Sequence, residues 1–189
     1  MTRLRPVPAL AALAILAFVW SPLLGDLFPA GMIRHMALVA VVPPLIVLAW
    51  PVWPELPTGL VLVAAAVEFA LVWGWHLPGA LIYARSDGVG LVLEQGSFLA
   101  AGILVWSGSL AAREPLAGAG GLLLTAMHMT LLGALLVLAP RPLYAFCTPT
   151  LESQQLGGIL MLAIGTPIYL AGGLWLAGRA LGMPQGARP

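Results

Sequence analysis

Three histidines stand in this sequence, His35, His76 and His128, and each lies in or beside a long apolar run. Met32, His35 and Met36 recur at i, i+3 and i+4, so a helix places all three on one face. Met127-His128-Met129 forms a second group. Imidazole is the commonest biological metal ligand, and thioether sulfur is soft, a pairing that favours Cu(I) over zinc or magnesium. Glu94 adds a carboxylate that can neutralise a bound cation or move protons; the helix dipole would equally favour it as a charge near a helix start. Met161 shares a helical face with Gln154, Gly157 and Gly158. That face suits close helix packing with capping amides as well as it suits a ligand shell. The candidate metal ligands are thus His35, Met36, His76, Glu94, His128, Met129, Met32 and Met161, with Cys147 as a further soft donor. Ordinary packing competes at every methionine. At His76, beside Trp75 at a helix end, the competing reading is a side chain at the membrane interface.

The elements that must position these groups are membrane helices. Of 189 residues, 61% are hydrophobic and only 8% charged, with no lysine and a net charge of +1. A soluble domain carries about 25% charged residues, so a chain this poor in charge needs the lipid bilayer as its main solvent. The arginines are scattered singly, and no basic patch suggests nucleic acid. One cysteine excludes an intrachain disulfide and any Cys-x-x-Cys motif.

Apolar runs predict an all-α, polytopic transmembrane bundle of about six helices, at about 7–24, 31–50, 58–76, 88–112, 119–139 and 156–181, in one domain over 1–189. Arg3 and Arg5 ahead of the first run resemble a secretory signal in charge order, yet no small-x-small cleavage site follows Trp20-Ser21-Pro22. The run is therefore expected as a retained first helix. Pro43-Pro44 removes two backbone donors from the second helix and predicts a kink, tolerable where neighbours satisfy the freed carbonyls. With the N-terminus in the cytoplasm, Arg3, Arg5, Arg113, Arg179 and Arg188 lie inside, and Arg34, Arg85 and Arg141 outside. His35, Met36, His76, Glu94 and Met161 then fall in the outer half, with His128 near mid-depth. Inverting the topology leaves that grouping intact. Glu68 lies deeper in the third helix, and the sequence assigns it no role.

The order of motifs resembles the integral-membrane cytochrome c oxidase assembly factor family CtaG, the polytopic type and not the soluble-domain copper chaperone of the same name. The matching residues are Arg34-His35-Met36 with Pro43-Pro44-Leu45, Trp73-Gly74-Trp75-His76-Leu77-Pro78, Leu93-Glu94 and Trp106. They continue with His128-Met129, Leu131-Leu132-Gly133-Ala134, Pro142-Leu143-Tyr144 and Gln154-Gln155-Leu156-Gly157-Gly158 through Met161. The resemblance implies a multi-pass protein of the bacterial plasma membrane that assists maturation of a haem-copper oxidase and delivers copper, Cu(I), to it. A cytochrome c oxidase subunit is the implied partner. His35, Met36, His76, Glu94 and His128 carry over by position. Two positions depart from the family pattern: Gln95 stands where a histidine is usual, and Ser153 where an acidic residue is usual.

A copper-handling assembly factor is a binding and transfer protein, not an enzyme. The competing readings are a haem-binding electron-transfer subunit using two of the three histidines as axial ligands, and a metal-free scaffold for oxidase assembly. An intramembrane hydrolase is disfavoured, because no Gly-x-Ser-x-Gly turn surrounds Ser107-Gly108-Ser109. A homo-oligomer is compatible with the sequence, which specifies neither metal number nor oligomeric state.

Overall fold

The computed structural model describes residues 4–50, 53–55, 57–144 and 150–182. The chain is an all-α bundle: α1 Pro6–Val19, α2 Phe28–Met36, α3 Val42–Ala49, α4 Thr58–Trp75, α5 Pro78–Ser86, α6 Gly88–Leu110, α7 Pro115–Leu138 and α8 Leu151–Gly182. Among the described residues, five helical stretches are long and apolar enough to cross a membrane: Phe28–Ala49, Thr58–Trp75, Gly88–Leu110, Pro115–Leu138 and Leu151–Gly182. The first of these joins α2 and α3 through a π-helical segment, Ala37–Val41. Outward-facing leucines and valines, such as Leu62, Val92, Leu123 and Leu174, cover the sides of the bundle, as a lipid environment requires.

α1, the expected first span, is a helix of 14 residues, about 21 Å at 1.5 Å per residue. It stops because Pro22 pushes Ser21 out of the helical region (ψ 155°). It is nonetheless docked: the Arg5 N–H donates to the Ala49 carbonyl at the end of α3 (3.0 Å). Arg34 Nε donates to the Val19 carbonyl (2.8 Å) and its Nη2 to Gly25 (3.2 Å), satisfying carbonyls that a helix C-terminus leaves open. The arginine of the Arg34-His35-Met36 motif is thus a clamp on the α1–α2 connection.

Phe28–Ala49 is the central helix, the most enclosed of the five. Leu38, Val39 and Ala40 of its π segment are fully buried in a core shared with Phe98, Leu122, Met129, Met161 and Tyr169. The proline pair explains the irregularity. Val39's carbonyl would accept from residue 43 in an α-helix or residue 44 in a π-helix, and both are prolines without an N–H. The Tyr169 hydroxyl, donated from α8, lies 3.0 Å from that oxygen, so a neighbouring helix supplies the missing donor. Gly102 lets α6 close on the same place, since a Cβ there would stand 2.6 Å from the Val39 oxygen.

One helix was not legible in the hydropathy. Pro78 holds Leu77 extended (ψ 138°), which ends α4 at Trp75 and opens α5 with proline in its first turn. At nine residues, with Tyr83, Arg85 and Ser86 in its last turn, α5 is too short and polar to register as a span. It caps the end of the bundle at which α2, α6 and α8 begin and α4 and α7 finish.

Candidate functional site

Under α5 the chain gathers four of the candidate ligands. Met32 and His35 from α2, His76 from the α4–α5 corner and Glu94 from α6 line one closed space, together with Gly31, Leu81, Arg85, Gln95 and Phe98. All four candidates are buried, and the space is too tight for a water molecule. The His35 ring meets His76 edge-on at 5.2 Å between centroids and Phe98 at 4.1 Å.

The two imidazoles differ in what holds them. His76 Nδ1 lies 2.7 Å from the Val72 carbonyl. A carbonyl only accepts, so Nδ1 carries the proton and the neutral ring presents a bare Nε2. That Nε2 has no hydrogen-bond partner, and neither ring nitrogen of His35 has one. A buried polar atom without a partner costs about 1–3 kcal/mol, and such atoms in a native fold need an explanation. His76 sits one residue beyond the α4 span, and burial pushes its pKa down to about 4; the Val72 hydrogen bond opposes the shift and the Arg85 charge adds to it. The ring is therefore neutral at physiological pH, the form that can ligate.

Surrounding residues hold this corner in place. The Tyr144 hydroxyl donates to the His76 carbonyl (2.9 Å), and its ring stacks on Phe28. Trp75 Nε1 donates to Ser97 Oγ (2.8 Å), which donates to the Glu94 carbonyl (2.9 Å), tying α4 to α6. Glu94 Oε1 faces Arg85 Nη2 at 3.5 Å, and its Oε2 accepts from Gln95 Nε2 at 3.0 Å. At position 95 this chain thus carries an amide that steadies the carboxylate.

His128 belongs to a different group. It stands in α7 with Nε2 3.8 Å from Glu68 Oε2, too far for a hydrogen bond, and edge-on to Phe69 at 5.3 Å. Fully buried Glu68 accepts from Thr125 Oγ1 (2.7 Å) and from the Tyr169 hydroxyl (2.8 Å). The same Tyr169 hydroxyl lies 3.0 Å from the Val39 carbonyl, so its single proton is shared between the two oxygens and the network braces the proline-broken helix.

Among the described residues, the other candidate methionines do not line the closed space. Met36 turns from the closed space and packs on α8, its sulfur 3.2 Å from where a Cβ on Gly165 would stand. Met129 and Met161 lie in the main core, while Met127 is 62% exposed on the outside of the bundle. Gln154 serves as a clasp: Nε2 donates to the Leu136 carbonyl (3.1 Å), and Oε1 accepts from the Leu143 N–H (2.6 Å). Gly158 lets α8 cross α7, as a Cβ there would come 2.7 Å from the Gly133 oxygen. Cys147 falls outside the described residues.

Sequence reasoning did not single out Arg85 or Tyr169. Arg85 sits on the helix that hydropathy misses. Tyr169 had one available signal, the donor deficit of Pro43-Pro44, but nothing in the sequence says which neighbour meets it. Among the described residues, no group of three or more His, Cys, Asp or Glu side chains is arranged to hold a metal ion; the histidine pair would need the thioether of Met32 to complete a soft site.

The family model described as cytochrome c oxidase caa3 assembly factor (Caa3_CtaG) matches residues 1–182. No curated protein and no solved structure matches the chain.

Proposed function

The chain belongs to the cytochrome c oxidase caa3 assembly factor family, and we propose that within that role it holds Cu(I) and passes it to the oxidase. His35, His76 and Met32 are the ligands, and Glu94 balances the charge of the cation. The copper is cargo: it has to leave again, which a small set of soft, neutral donors permits. The work is binding and transfer in the bacterial plasma membrane, with the α5 end of the bundle on its outer side and an oxidase subunit as recipient. The observation that carries this reading is the pair of buried imidazoles with unpartnered nitrogens, one of them fixed by Val72 in the ligating tautomer. Second-sphere hydrogen bonds of that kind are what orient metal-binding histidines. Met36, Met129 and Met161 act as packing residues, and His128 stands beside the Glu68 brace, outside the closed space.

The haem alternative fits poorly, because a space too tight for a water molecule beside His35 and His76 does not admit a tetrapyrrole. A metal-free scaffold has one observation in its favour, the lack of a three-residue His, Cys, Asp or Glu group among the described residues. The deciding experiment is Cu(I) stoichiometry on detergent-purified protein, with an optical spectrum of the same sample. Retained copper that disappears on replacing His35 or His76 supports transfer; a haem band without copper, or neither signal, overturns it.

A further inference from the structure

Arg85 separates two spaces. Inside lies the closed space with Met32, His35 and His76; outside lies an open groove of about 360 Å³ walled by Asp26, Leu27, Arg34 and Leu91. Gly31 and Arg85 line both. The guanidinium rests on Gly31, with Nη2 3.2 Å from where a Cβ would stand, so residue 31 has to be small for Arg85 to lie there. Its hold on Glu94 is loose, 3.5 Å between a side chain 31% exposed and one 3% exposed. Glu94 itself does not depend on Arg85 for its position, since Gln95 grips its other oxygen.

We propose that Arg85 is an exchangeable plug on the route to the histidine pair. It neutralises the Glu94 carboxylate while the site is empty. An arriving soft monovalent cation takes its place beside Glu94 and moves inward to His35 and His76. The exchange conserves charge at a buried carboxylate, which avoids the cost of leaving that charge unpaired. The displaced guanidinium swings into the groove, where Asp26 offers the same sign of charge that Glu94 gave up. This inference rests on reading the pair as a Cu(I) site, but the plug itself can be tested without metal.

The test is mixed-disulfide labelling of a cysteine placed in the closed space, in the full-length Met32→Cys, Cys147→Ser protein, by a cationic water-soluble thiosulfonate, which releases sulfinate as the thiolate attacks. Arg85→Ala is expected to speed labelling about tenfold, the factor by which a state open a tenth of the time gains when it becomes always open. The Arg85→Ala, Glu94→Gln double variant carries no stranded charge and should label as fast, which guards against a folding defect in the single variant. Equal labelling rates with and without Arg85 overturn the plug. Cu(I) uptake from a coloured chelator by otherwise unaltered protein separates the two readings. Faster labelling with no copper bound sustains the plug and sinks the copper site; copper binding with unchanged labelling does the reverse.

Discussion

The corner under α5 and the network around Glu68 both bury imidazole and carboxylate inside one small bundle, yet the two carboxylates are held differently. Around Glu68 the carboxylate oxygens are met, by Thr125 and by Tyr169, whose hydroxyl also lies against the carbonyl stranded by Pro43-Pro44, while the ring nitrogens of His128 beside them have no partner. Around His35 and His76 the carboxylate is met weakly and three imidazole nitrogens are not met at all. A satisfied buried network rigidifies a fold, whereas an unsatisfied one carries a standing cost. The Glu68 contacts brace the proline-broken helix; at the α5 corner three unpartnered nitrogens converge with Met32 on one closed space that His128 does not line, and that convergence is what the copper proposal rests on.

The largest effect that tests this contrast is on copper. His35→Ala or His76→Ala should weaken Cu(I) retention on the order of a hundredfold, about 2.7 kcal/mol, with the thermal unfolding midpoint in detergent little changed. Retention that survives both changes but fails in His128→Ala would transfer the site to mid-depth and collapse the distinction. Tyr169→Phe should do the opposite: it removes the single hydroxyl proton shared by Val39 and Glu68, costing about 2 kcal/mol of stability, while bound copper per protein stays constant. Tyr144→Phe sharpens the boundary between the regions. Losing the bond to the His76 carbonyl should cost about 1 kcal/mol and weaken copper retention less than either histidine substitution does; retention as poor as in His76→Ala would make Tyr144 part of the site itself. The smallest effect is expected at Met127→Leu. This side chain faces outward, so stability should shift by no more than about 0.5 kcal/mol and copper retention should not change.

Helix-period spacing could not separate the methionines of α2. Met32 and Met36 both fall on the helical face of His35 and both touch α8, at Gly157 and Gly165, yet only Met32 lines the closed space, because the two stand one turn apart and α5 covers only the end that Met32 reaches. His128 shows the same limit. Its isolation in an apolar run marked it as consequential, but only the packing of α4 against α7 shows that Glu68 is its neighbour.

By itself the sequence determined the solvent, the helical class and the family motifs. Scarce charge and long apolar runs leave a chain no other way to satisfy its backbone in lipid, and Pro43-Pro44 marks in advance where a helix bends, whereas the first helix, expected to run to about 24, stops at Val19 ahead of Pro22. It also determined that polar groups would be few and therefore consequential. The tertiary structure decided which of them meet. Contacts between Arg85 and Glu94, Tyr169 and Val39, or His35 and His76 join residues of different helices. Their geometry follows from how ridges, glycines and a broken helix let those elements approach, a property of the assembled bundle that no local spacing encodes.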